Sequence, residues 1–165
     1  MSGVIEALNV PHERVTAVLE ALRRHGATVA TAESLTAGLV GAALTDVAGA
    51  SEVVRGGLVV YATDLKARLA GVDGDLLAEH GPVHPRIAEE LAVGARQRCA
   101  SDWGIGVTGV AGPDSQGGVA PGTVHLGFAG HRRTSVHSVS LDGDRHAVRA
   151  AAVRVALEHF ESLLR

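Results

Sequence analysis

A single cysteine, Cys99, in 165 residues excludes a disulfide framework and any cysteine-ligated metal cluster. Aromatic residues are equally scarce, with one Trp, one Tyr and two Phe, so there is no set of side chains on which bases would stack. Nor do 15 Lys+Arg against 18 Asp+Glu leave a basic excess to neutralise phosphates. No direct nucleic-acid partner is expected. Every apolar stretch is broken by Gly, Arg or Asp well before the roughly 18 residues a membrane span requires. Nothing at the N-terminus reads as a signal peptide. No membrane partner is expected, and the expected location is a reducing cytoplasm. The nine histidines lack ligand spacing: His80 and His84 are separated by Gly and Pro, and His125, His131 and His137 form no pattern with carboxylates. No metal and no cofactor are expected.

What the chain does have is periodicity. Residues 1–165 suit one domain, which at this length buries roughly two thirds of its unfolded surface. Pro11 to Gly26 puts Val15, Val18, Leu19 and Leu22 on one helical stripe and stops at His-Gly. "ATVATAES" (Ala27 to Ser34) reads as a strand and Thr36 to Val47 as a helix. "GGLVVYA" (Gly56 to Ala62) reads as a second strand, followed by a helical "TDLKARLAG". A helical turn at Asp75 to His80 and a long helix at Pro85 to Ala100 come next. "DWGIGVTGVAGP" is a nearly all-apolar strand running into a glycine loop. "GTVHLGFAG" and "RTSVHSVSL" form a hairpin across Gly130-His131, and Asp144 to Arg165 is a closing helix. Alternating strands and helices with a terminal hairpin predict an α/β fold, a three-layer α/β/α sandwich around a mixed sheet of about five strands.

In open α/β sheets the ligand site lies beyond the carboxyl ends of the strands. The residues placed there are Glu33-Ser34-Leu35-Thr36, Tyr61 to Lys66, and Thr108 to Pro113, which bring hydroxyls and an amine rather than metal ligands. Ser34 has two readings: a nucleophile beside a helix start whose amides and dipole would receive an oxyanion, or, with Thr36, a simple helix cap. Lys66, in the first turn of a helix capped by Thr63, faces the positive end of the dipole; that field, burial or nearby positive charge would favour the neutral amine a Ser/Lys pair needs, and with no partner nearby it is an ordinary solvated lysine. Tyr61 either relays that proton or packs at a sheet edge. The loop Gly109 to Gly122 is neither a Walker A loop nor a dinucleotide fingerprint, but its amides suit a phosphate. Arg145, opening the last helix, is either a phosphate partner or a solvated arginine.

Taken together, these segments resemble the C-terminal domain of the competence/damage-inducible protein CinA, whose stand-alone members are nicotinamide mononucleotide (NMN) deamidases. "TAESLTAGLVGAALTDVAGAS", "GGLVVYATDLKARLAGV", "HGPVHPRIAEELAVGAR", "GVTGVAGP…GTVHLG" and "GDR" follow the family's motifs in order, from about Ala30 to Arg149. The resemblance implies Ser34 as nucleophile, Lys66 as its base and Tyr61 as an assisting group. It places Thr36, Thr108, Gly109, Gly112 and Arg145 around the substrate. It also implies NMN as the small-molecule substrate, no cofactor, and a homo-oligomer. The amino-terminal, molybdopterin-enzyme-like domain of longer relatives is not expected, nor is its activity. Two departures stand out: Ala37 where the family has glycine, and "YATD" where it has "YSN".

Overall fold

The computed structural model describes residues 3–165. In chain order the elements are α1 (Val4–Ala7), α2 (His12–Arg24), β1 (Val29–Glu33), α3 (Leu39–Thr45), β2 (Val54–Val59), α4 (Thr63–Ala70), α5 (Gly74–His80), α6 (Pro85–Arg98), β3 (Trp103–Gly109), β4 (Thr123–Ala129), β5 (Thr134–Ser140) and α7 (Arg145–Leu163). A 3-10 turn at Ala50–Glu52 precedes β2. The strands form one sheet in the order β2-β1-β3-β4-β5. β1 is parallel to both β2 and β3, and β4 is antiparallel to both of its neighbours. This is the mixed five-stranded sheet that the pattern predicts.

Each face of the sheet carries its own core, which makes the three layers. Val29, Ile105 and Phe128 belong to the core shared with α2, α3 and α7, whereas Ala30, Ala32 and Val60 belong to the core shared with α5 and α6. The two-residue alternation of β1 therefore sends Thr31 and Glu33 toward the α3 side and the intervening alanines toward α6. The α6 helix lies close against the sheet because the strands beneath it are notched by glycine. A Cβ at Gly104 would overlap the Ala92 carbonyl, and one at Gly106 or Gly127 the Ala88 carbonyl. This close approach brings the segment before α6 down to the end of β3, where Thr108 Oγ1 donates to the Pro82 carbonyl at 2.6 Å.

The structure departs from the sequence reading at the first strand-to-helix junction. Only Leu39–Thr45 of the predicted helix from Thr36 to Val47 is α-helical, and Ser34 to Gly38 is a turn. The reason is the backbone: Ala37 (φ 47°) and Gly38 (φ 96°) both lie in the left-handed region, which a right-handed helix cannot contain. Neither Ser34 nor Thr36 caps α3. Thr63 likewise does not cap α4; Ala62 holds that position and Thr63 is the first helical residue. Strand β2 begins at Val54, two residues earlier than predicted, and leaves Tyr61 beyond its end. α1 has no counterpart in the sequence reading.

The left-handed Ala37 has a measurable consequence. An L-residue with a Cβ loses roughly 1–2 kcal/mol there relative to glycine, partly offset by the larger unfolded-state entropy of glycine. Ala37→Gly is therefore expected to stabilise the fold by about 1 kcal/mol, seen as a rise of about 2–4 °C in thermal midpoint. An unchanged or lower midpoint would show that the turn carries no strain at this position.

Candidate active site

Three strand ends converge on one crevice. Ser34 follows β1, Thr108 lies near the end of β3, and Tyr61 and Lys66 follow β2. Strand β1 is the switch point of the sheet, with β2 on one side and β3 on the other, and crevices open outside the carboxyl ends at such points. The crevice here has a volume of about 390 Å³ and is lined by Ser34, Tyr61, Lys66, Thr108, Arg145 and the loop from Gly109 to Gln116.

Lys66 is the centre of the arrangement. Its side chain is 1% exposed although it belongs to a short surface helix. Nζ makes three hydrogen bonds: to Ser34 Oγ at 2.9 Å, to the Val60 carbonyl at 2.8 Å and to the Tyr61 carbonyl at 3.2 Å. No carboxylate pairs with it, so burial alone lowers its pKa, from the ordinary 10.5 to about 8. Of the causes the sequence reading allows, the helix dipole, burial and nearby positive charge, the structure supplies burial. The partner count suits both protonation states. An ammonium donates three times, whereas a neutral amine donates to the two carbonyls and offers its lone pair to the Ser34 hydroxyl.

The turn after β1 presents Ser34 to this amine. The Ser34 N–H donates to the Val107 carbonyl at 2.9 Å, and the Ala37 N–H closes the turn on the Ser34 carbonyl at 3.0 Å. Arg149, one helical turn beyond Arg145 in α7, donates from Nε to the Leu35 carbonyl at 2.8 Å. The Leu35 and Thr36 N–H groups make no hydrogen bond among the described residues. They are thus the unpartnered donors nearest to the Ser34 hydroxyl along the chain.

Arg145 ties two walls together. Nη1 donates to the Gly112 carbonyl at 2.8 Å and Nη2 to the Tyr61 hydroxyl at 3.1 Å. Tyr61, 59% exposed, thus meets Lys66 through its main-chain carbonyl and Arg145 through its phenol. Of the residues named from sequence, Ser34, Lys66, Tyr61, Thr108, Gly109, Gly112 and Arg145 all line the crevice. Thr36 does not. It is fully buried, and its hydroxyl donates to Glu33 at 2.7 Å. Sequence reasoning assigned no role to Glu33 or Arg149. The available signal for Glu33 was a lone charge closing an otherwise uncharged strand. Among the described residues no three His, Cys, Asp or Glu side chains gather as a metal site.

The fold and crevice define an α/β protein with a buried serine–lysine pair at the switch point of a mixed sheet. The CinA C-terminal domain profile matches residues 12–164, and the chain belongs to that family. It is 47% identical over 147 residues to a CinA-like protein of Frankia casuarinae, covering 89% of this chain and 34% of that protein. A CinA-like protein of Acidobacterium capsulatum is 42% identical over 142 residues, covering 86% of this chain and 34% of its own length. The chain thus spans about a third of the curated relatives it matches. Among solved structures, a CinA superfamily protein from Klebsiella pneumoniae superposes with a TM-score of 0.90 at 30% identity, covering 93% of this chain and 96% of that one. The competence/damage inducible protein CihA from Agrobacterium tumefaciens gives 0.87 at 33% identity, covering 94% and 98%. No helix among the described residues is long and apolar enough to cross a membrane.

Proposed function

We propose that this chain is an amidohydrolase that converts nicotinamide mononucleotide and water to nicotinate mononucleotide and ammonia through a Ser34/Lys66 pair. The observation that carries the reading is the 2.9 Å contact between a desolvated, carboxylate-free lysine and a serine hydroxyl on the wall of a crevice. Binding a nucleotide requires no such pair, whereas activating a hydroxyl near neutral pH requires an adjacent base such as this amine.

The steps follow from the contacts. Neutral Lys66 takes the Ser34 proton as Oγ attacks the carboxamide carbon, and the oxyanion is met by the free amide of Leu35, which lines the crevice. The C–N bond breaks as Lys66 passes its proton to the departing nitrogen, which leaves as ammonia, with the acyl group on Ser34. Water then attacks the ester; Lys66 takes one of its protons and returns it to Ser34 Oγ, and the acid so formed gives its remaining proton to solvent and leaves as the carboxylate. Val60 and Tyr61 hold the amine through both half-reactions. Self-association, implied by the family resemblance, is part of the same proposal; the exposed large apolar residues Val59, Tyr61 and Leu69 lie on β2, α4 and the segment joining them.

Arg145 and the loop from Gly109 to Gln116 hold the substrate phosphate in this reading. Arg145→Ala is expected to raise KM for the mononucleotide about tenfold or more, the scale of one lost charge-assisted contact, and to affect the dephosphorylated riboside much less. Equal losses on both substrates would instead assign Arg145 to tethering Tyr61 and Gly112. The reading as a whole is tested by ammonia release from a panel of carboxamide ribotides. Saturable nucleotide binding with no ammonia would replace it with a regulatory nucleotide-binding module.

A further inference from the structure

Glu33 takes no part in these steps, yet its setting is unusual for a carboxylate. It is 1% exposed, precedes Ser34 directly, and accepts four hydrogen bonds, two on each oxygen. Oε1 receives the Thr36 hydroxyl at 2.7 Å and the Val40 N–H at 2.8 Å. Oε2 receives the Thr31 hydroxyl at 3.0 Å and the Gly41 N–H at 3.0 Å. Among the described residues no cation lies within ion-pair distance. Its charge is met by the first amides of α3 and by two hydroxyls.

Capping a short helix does not require a buried carboxylate, because an exposed Ser or Asn does the same without the desolvation penalty. What this carboxylate does is join three places: Thr31 on β1, Thr36 inside the turn, and Val40 and Gly41 at the start of α3. The turn between them contains both left-handed residues, Ala37 and Gly38, a backbone that relaxes unless its surroundings hold it. Arg149 grips the same turn from α7 through the Leu35 carbonyl.

We infer that Glu33 is a positioning residue for Ser34, holding the turn that aims Oγ at the reacting carbonyl and orients the Leu35 amide. The inference rests on the Ser/Lys reading above. It places Thr36 in the clamp rather than on the substrate.

Glu33→Gln keeps the shape but presents one acceptor and one NH₂ group. In either orientation the NH₂ meets a main-chain N–H, of Val40 or of Gly41, that cannot rotate away as a hydroxyl can. A displacement of about 1 Å at a nucleophile costs up to about 100-fold, so kcat on nicotinamide mononucleotide is expected to fall about 10- to 100-fold. KM should stay within about twofold because Arg145 and the phosphate loop make none of the clamp's contacts, and the pH midpoint should not move because Lys66 is untouched. Thr36→Val removes one clamp bond at constant shape, and its kcat should fall a few-fold at constant KM.

Labelling of Ser34 by a fluorophosphonate reports its reactivity without any nucleotide, and its rate should fall in parallel in both variants. Folded Glu33→Gln with wild-type kcat and labelling rate overturns the inference, as does a loss that disappears once activity is expressed per folded molecule. If Glu33→Gln does not fold, Thr36→Val decides: a raised KM at constant kcat returns Thr36 to the substrate and overturns the clamp. Wild-type labelling at Ser34 without ammonia release overturns the substrate assignment alone, while the two variants still test the clamp. Absence of labelling in the wild type overturns both.

Discussion

Ser34→Ala is expected to lower turnover of nicotinamide mononucleotide by at least about two orders of magnitude while the protein remains folded. The hydroxyl oxygen is the only atom removed, and Lys66 keeps both of its main-chain acceptors, Val60 and Tyr61, so the amine stays where it is. The turn is also unaffected, because its bonds run through the Ser34 main chain and the Glu33 carboxylate. What is lost is the atom that forms the acyl intermediate in the proposed reaction. The measurement is ammonia release, paired with an acid quench of the wild type to capture the ester on the Ser34 peptide. Near-wild-type turnover by the alanine variant would remove Ser34 from the mechanism and leave a water-based attack directed by Lys66.

Lys66→Arg should be as damaging, for a different reason. Arginine keeps positive charge but does not give up its proton at accessible pH, so it cannot serve as the base. General-base catalysis contributes about 10²–10⁴-fold, and a loss in that range is expected. Lys66→Met, which removes the amine at similar volume, should lose as much and shows that crowding by the guanidinium is not the cause. In the wild type, burial puts the Lys66 pKa at about 8, so kcat/KM should rise with pH through that value. At pH 7 about a tenth of the molecules then carry the neutral base. A Lys66→Arg variant active across the neutral range, or a flat wild-type profile, would sink the pair.

The same group affects stability, with a definite sign. The folded-state pKa of about 8 lies below the unfolded value near 10.5. Between these values the unfolded chain binds more protons, so this group's contribution to stability rises with pH across that window. Below pH 8 the buried ammonium carries its full penalty, about 3 kcal/mol from the gap between the two values. The protein thus holds a destabilising lysine at neutral pH, consistent with a side chain kept for chemistry rather than for folding.

Much of this molecule was legible in its sequence because the relevant physics is local. The helical stripe of α2, the hairpin at Gly130, and the mixed α/β order follow from periodicities and turn residues that neighbours in the chain determine among themselves. The positions of Ser34 and Tyr61–Lys66 after strands, and of Thr108 near the end of one, were also readable, and they converge on the crevice. Tertiary structure alone decided the rest. Whether Lys66 is an ordinary solvated lysine or a neutralisable base depends on its burial and on two carbonyls at the end of β2, and no local pattern encodes that desolvation. Thr36 reads as a site residue by its distance along the chain. Its hydroxyl turns inward because Glu33, sent to the α3 side by strand alternation, needs donors there. The positive φ at Ala37 could be suspected only from the glycine that the family has at this position, since alanine itself carries no signal of a left-handed turn; the structure shows it.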